Sequence, residues 1–229
     1  MGAQVSRGAR TLKTVRIDEI EPIRIVDGKI AWRPVRRTLG VRAFGVNAYT
    51  ADAGDEVVET HDETGSGAGH HEELYIVVTG HATFTVDGET VDAPAGTLVF
   101  LDDPTEKRGA LATEDGTTVL AAGGARGHAF EVSPWEHYFA AIPAWERGDW
   151  DEAERLHREG LARHPDNPSL LYNLACIKAQ RGDFDEAIDL LKRAFDGDSK
   201  LLNVAREDPD LDPIRQEPRF SAVLERPPA

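Results

Sequence analysis

The sequence predicts an antiparallel β-sandwich or barrel joined to a small all-helical domain. Three observations predict it. Short runs of β-branched and apolar residues, separated by glycine and acidic turns, fill the first half. An Asp-Gly dipeptide sits between two of those runs. From about Pro134 the apolar period changes to that of a helix, and the pattern then repeats itself.

The strand runs are residues 41–50, 56–61, 73–79, 82–86, 90–91, 97–101 and 117–121. Asp87-Gly88 joins Ala82-Thr83-Phe84-Thr85-Val86 to Glu89-Thr90-Val91 and is the strongest hairpin signal in the chain. No helical pattern interrupts these strands, so the sheets are antiparallel. Gly123-Gly124 and residues 126–134 read as a linker, and Pro134 is placed to open the first helix of the tail. The resulting division is a basic arm at 1–29, a β-domain at 30–125 and a helical domain at 134–224.

In the tail, Gly148-Asp149-Trp150-Asp151-Glu152-Ala153 returns as Gly182-Asp183-Phe184-Asp185-Glu186-Ala187, with Trp150 and Phe184 34 residues apart. Each unit reads as two antiparallel helices: Gly-Asp turns the chain, the aromatic plugs the crossing, and the small alanine lets the helices approach. This resembles the tetratricopeptide repeat over about residues 135–200. The second copy matches better, with Asn173-Leu174-Ala175 and Ala194. In the first, Pro143 interrupts the leading helix and Gly160 replaces the usual alanine. Residues after Lys200 cap the stack. Two repeats are too few to stand alone, so the tail is expected to dock on the β-domain or on a second subunit.

Composition narrows the function classes. The net charge of −15 argues against general nucleic-acid binding, which needs clustered cations. Residues 1–42 nevertheless hold ten basic and four acidic residues, a balance of +6 that leaves −21 for the rest. The arm is therefore expected to fold against the acidic body or a neighbour, adding an edge strand or swapping onto a partner. Cys176 is the one cysteine, which fits a reducing compartment. No signal peptide and no run of about 20 apolar residues is visible, so the chain reads as cytoplasmic without membrane contact.

The β-domain resembles the cupins, the RmlC-like jelly rolls, over about residues 40–122. Glu73-Leu-Tyr-Ile-Val-Val-Thr-Gly80 is similar to the end of the first cupin motif, and Pro94-Ala95-Gly96 through Lys107 to the second. The resemblance implies a double-stranded β-barrel with a site at its centre, a metal held by two His, a Glu and a later His, and pairing into homodimers. Here Lys107 stands at the later His, and Gly67 and Gly69 occupy the usual His-x-His positions. The first-motif ligands then shift to His61 and Glu63. Strand alternation puts His71, Glu73, Tyr75, Val77 and Thr79 on one face. The interior is expected to hold His61, His71, Glu73, Tyr75 and Lys107.

Three readings of that cluster stay open. His61, His71 and Glu73 bind a divalent metal while Lys107 contacts an anionic ligand. Alternatively Lys107 pairs with Glu73 and replaces the metal. In the third, the histidines sit on a solvated loop and Lys107 at the barrel mouth. The corresponding functions are a small-molecule-binding or regulatory module whose repeats engage a protein, a metal-dependent isomerase or dioxygenase, and an interaction scaffold without ligand. Asn173 is the candidate peptide-binding residue, on the concave face of the repeats. His137, His157 and the four tryptophans read as surface or packing residues, and Cys176 as a buried structural thiol.

Overall fold

The computed structural model describes residues 13–65 and 68–225. Arg7 and Arg10 of the basic arm, and Gly67, lie outside them. A hairpin of β1 (Ile23–Ile25) and β2 (Ile30–Arg33) comes first, then a short helix, α1 (Val35–Leu39). β3 (Gly45–Ala51) and β4 (Glu56–His61) follow, then β5 (Glu72–Thr79), β6 (His81–Val86), β7 (Glu89–Pro94), β8 (Leu98–Leu101), β9 (Arg108–Ala112) and β10 (Thr117–Gly124). One sheet runs β1-β2-β3-β10-β5-β8 and the other β4-β9-β6-β7. Every pairing is antiparallel. Strands β3 to β10 pass from sheet to sheet at every step but the β6–β7 hairpin, and this order is that of a jelly roll. The first half has the cupin-like double-sheet fold, with β1 and β2 added at the β3 edge.

Alternation sets the inner face. Tyr75, Val77, Ala82, Phe84, Ala110, Ala112 and Val119 are buried in one cluster between the sheets. Asp87 (φ 46°) and Gly88 (φ 90°) both take positive φ in the β6–β7 turn, as a two-residue type I′ hairpin requires. Gly80 has φ +74°, and a Cβ there would lie 2.4 Å from Thr117 Oγ1, so the motif glycine is sterically required. The outer face of the longer sheet is partly covered: Ile20 and Val35 pack with Ala48 and Leu120. Two strands escaped the sequence reading. β9 is short and two glycine- and acid-rich turns flank it, and β2 lies within the arm and α1 boundary.

The tail comprises α2 (Pro134–Glu146), α3 (Trp150–Leu161), α4 (Pro168–Arg181), α5 (Phe184–Gly197) and α6 (Leu201–Glu207). A 3₁₀ segment (Pro209–Ile214) and α7 (Pro218–Leu224) end it. Asp149 caps α3 by accepting from the Glu152 amide, and Asn167 caps α4 by accepting from the Leu170 amide. Trp145 and Trp150 meet edge to face, their ring centroids 5.4 Å apart. Leu211, Ile214, Phe220 and Val223 share the core of α4 and α5, so the last segments close the stack. Pro143 does not break α2 as expected. It falls in the last turn, where it removes a single intrahelical bond. Gly160 has a packing cause: a Cβ there would meet Leu170 Cδ1 at 2.8 Å and the His137 ring at 3.1 Å.

The tail docks on the β-half through α2. Trp32 is wholly buried and packs against Trp135 and Phe139, with centroids 5.8 and 5.7 Å away. Burying one such ring is worth on the order of 4–6 kcal/mol as an upper bound. Beside it the Arg36 guanidinium grips Glu136, its Nε lying 2.9 and 2.8 Å from the two carboxylate oxygens. That pair is almost fully desolvated, so losing one partner strands a buried charge.

Candidate functional site

A cavity of about 360 Å³ opens at one end of the jelly roll. Its floor is polar, made by His61, Glu63, Glu73 and Tyr75. Its wall is the apolar side of Ile25, Ile30 and Tyr49, and its roof is Trp135, Tyr138 and Phe139 of α2. The cavity is therefore a joint product of the β-half and the helical half.

The floor is assembled from three places. His61 ends β4, paired in register with Arg108 of β9. Glu73 and Tyr75 point inward from β5. Glu63 is brought back by a loop in which its amide donates to Pro104 O (2.8 Å) and its carboxylate accepts from the Gly69 amide (2.9 Å). His61 Nε2 lies 3.6 Å from Glu63 Oε1 and 3.6 Å from Glu73 Oε2. The Tyr75 hydroxyl donates to Glu73 Oε2. Arg108, with no solvent exposure, places its Nε 3.5 Å from the same oxygen. Its Nη1 donates to Glu106 O at 2.7 Å.

Two sequence expectations need correction. Lys107 is not in the interior: it is exposed in the turn before β9, and its amide donates to Asp87 Oδ1 (2.9 Å). The inward cation is its neighbour Arg108. Alternation from the buried Ala110 and Ala112 carries inward to residue 108, while Leu111 faces out. That signal was present in Arg108-Gly-Ala-Leu-Ala and was hidden by aligning the motif on Lys107. His71 is also displaced from the expected set. Its Nδ1 approaches the other oxygen of Glu63, Oε2, at 3.7 Å, and its ring packs on Phe130. Of the expected metal residues, His61 and Glu73 come together, and Glu63 completes the group, with ligand atoms all within 4.8 Å of one another.

Electrostatics define what this group can do. His61 Nδ1 lies 2.7 Å from the Glu59 carbonyl, which only accepts, so Nδ1 carries a proton. Nε2 then faces two carboxylates and must hold either a second proton or a cation. Burial disfavours the charged ring, but the hydrogen bonds to Glu73 and Glu59 and both carboxylates outweigh it, and the His61 pKa is raised. Burial pushes Glu73 the other way, yet His61, Tyr75 and Arg108 hold it below the ordinary carboxylate value. With His61 protonated, two carboxylates meet two cations and the floor is neutral.

The same residues partly fit a divalent metal. A ring fixed by an Nδ1–H to a carbonyl is the usual support of a metal-bound histidine, and two carboxylates lie beside it. Against this, Arg108 and Tyr75 already engage the Glu73 oxygen that a metal would take, and the guanidinium repels a divalent cation at short range.

A second cavity of about 220 Å³ lies on the helical side, lined by Tyr138, Trp145, His157, Asn173, Cys176 and Asp208 among others. Asn173 is among the residues lining this groove. Cys176 is buried, and burial followed by Asp208 pushes its pKa well up, so it is an inert thiol. Tyr138 borders both cavities.

Residues 144–200 match the tetratricopeptide-repeat family model. That match spans α3, α4 and α5. No curated protein matches the chain. Solved structures similar to it align with the β-half. A predicted oxalate decarboxylase from Thermotoga maritima is 21% identical over 49% of this chain and 99% of that one, with a TM-score of 0.41. An RmlC-like cupin from Desulfovibrio desulfuricans is 21% identical over 52% and 95%, with a TM-score of 0.36. A putative sugar phosphate isomerase from Acidithiobacillus ferrooxidans is 18% identical over 49% and 73%, with a TM-score of 0.41. The strand order, rather than these distant likenesses, assigns the cupin-like fold.

Proposed function

We propose that the chain is a small-molecule-binding, regulatory cupin whose repeat tail engages a protein. One observation carries this reading. The cavity is floored by the jelly roll and roofed by α2, and Tyr138 of that helix also lines the groove of the repeats. A ligand in the cavity would contact a side chain that the groove shares, and it couples the two sites to the extent that it favours one arrangement of Tyr138.

The chemistry of the lining revises the expected ligand. An anion was expected because Lys107 was placed inside. With Lys107 outside, the cavity carries Glu59, Asp62, Glu63 and Glu73 against His61, with Arg108 behind Glu73. That lining repels anions. It favours a neutral or cationic molecule with an apolar body against Tyr49, Trp135 and Phe139 and a donor group toward the carboxylates.

A thermal-shift screen tests this, using uncharged aromatics and hydrophobic amines beside carboxylates and phosphates. Binding at a hundredfold excess over Kd stabilises by about 2.7 kcal/mol. Stabilisation by members of the first group alone supports the reading. Stabilisation by carboxylates or phosphates overturns the ligand class, and no stabilisation across the panel leaves the jelly roll as a scaffold.

A metal-dependent enzyme of isomerase or dioxygenase type is the second reading, favoured by the His61–Glu63–Glu73 group. A metal there would act as a Lewis acid on a bound substrate. Metal content and its loss in Glu73→Gln test that reading.

A further inference from the structure

The groove of the repeats carries information about its occupant. His157 is 2% exposed and lines the groove. Its Nδ1 lies 2.8 Å from the Ala153 carbonyl, so Nδ1–H donates there and the neutral ring leaves Nε2 as a lone pair buried in the groove wall. That Nε2 has no hydrogen-bond partner among the described residues. A buried acceptor without a donor is costly, by about 1–3 kcal/mol, and a partner group supplying the donor recovers it.

Two carboxylates flank the same space. Asp208 is held in place by the Tyr172 hydroxyl (2.7 Å) and by the Asp210 amide (2.9 Å). The Asp210 carboxylate lines the groove and accepts no hydrogen bond among the described residues. Burial and its neighbours Asp208 and Asp212 raise its pKa, the signature of a carboxylate short of positive charge. Asn173 adds an amide, and Trp145 and Tyr138 add aromatic faces. Among the described residues, no lysine or arginine lines the groove.

We infer that the groove binds a basic side chain, arginine or lysine, presented by an extended segment of a partner protein. The charged head donates to Asp210, Asp208 and His157 Nε2, and its aliphatic stem lies along Trp145 and Tyr138. This rests on the reading of the tail as a protein-interaction module and specifies the partner's chemistry.

The test is selection of random heptapeptides on an array by the full chain, wild type beside Asp210→Asn and His157→Phe. Asp210→Asn removes a charge that bonds nothing, so folding is retained, and a thermal melt checks both variants. Wild type should retain peptides enriched several-fold in Arg or Lys at one position. That enrichment should collapse in Asp210→Asn, weaken in His157→Phe and fall with salt. Peptides selected without a basic residue, or an enrichment untouched by Asp210→Asn, overturn the inference while leaving the interaction tail standing. No peptide retained by wild type overturns both.

Discussion

The two halves of the molecule bury histidine in opposite ways. In the jelly roll, His61 is half-buried among carboxylates, and its pKa is raised. In the helical half, His137 is 1% exposed with neither ring nitrogen hydrogen-bonded among the described residues. Burial lowers its pKa to about 4, more than the nearby Glu159 can offset. The difference teaches that burial alone does not set a histidine's charge; what matters is whether a carboxylate sits directly against the ring nitrogen. At His61 the charge is held by facing carboxylates, whereas at His137 the ring is held inside by staying neutral.

Removing one member of the paired set should have the largest effect. Arg108→Met leaves Glu73 buried with less compensation and frees the carbonyl of Glu106. It should cost about 3–5 kcal/mol in urea denaturation. Adding Glu73→Gln should cost less than the sum of the two single changes, because they break one interaction. Full additivity would mean that the guanidinium is not coupled to Glu73.

The unpaired set should respond to acid. His137 has a folded pKa of about 4 against about 6.5 for the unfolded chain. Its contribution is complete above pH 6.5 and is lost as pH falls from there toward 4, by up to about 3 kcal/mol. His137→Leu should remove that part of the slope and be more stable than wild type near pH 5. A smaller packing effect follows from the same site. Gly160→Ala should destabilise by about 1–2 kcal/mol in spite of alanine's better helix propensity, since the new methyl meets Leu170 and His137. His137→Ala made alongside should relieve it.

His61 should give the smallest slope, of opposite sign, because its side chain is 35% exposed. Its raised pKa adds stability that is full below the unfolded pKa and lost as pH rises through the folded value. The stability gap between wild type and His61→Gln should close on the alkaline side. A gap that widened there would place a metal or another cation, rather than a proton, on Nε2.

Much of the fold was legible because it depends on local signals. Asp87-Gly88 dictates its hairpin, and the 34-residue recurrence from Trp150 to Phe184 dictates the helix pairs. The site was legible only in part. His61, Glu73 and Tyr75 follow from strand alternation. Arg108 was missed by one residue, which in a strand exchanges inside for outside. Glu63 needed a loop whose path is fixed by a bond to Pro104, 41 positions away in the chain. Of the aromatic roof, the sequence reading takes in only Trp135, as a packing residue, and it does pack on Trp32. That Trp135, Tyr138 and Phe139 also close a cavity depends on how α2 docks, set by the distant pair Arg36–Glu136.

The central claim is that the cavity floor is a self-neutralised, metal-free cluster in which Arg108 and protonated His61 balance Glu63 and Glu73. The most direct measurement is metal content of the purified, untagged protein by mass spectrometry, wild type beside Glu73→Gln and Arg108→Met, after reloading with iron, manganese, nickel and zinc. The account predicts far less than one metal per chain in wild type and more in Arg108→Met, where the repelling guanidinium is gone. Near-stoichiometric metal in wild type, lost in Glu73→Gln, would contradict it.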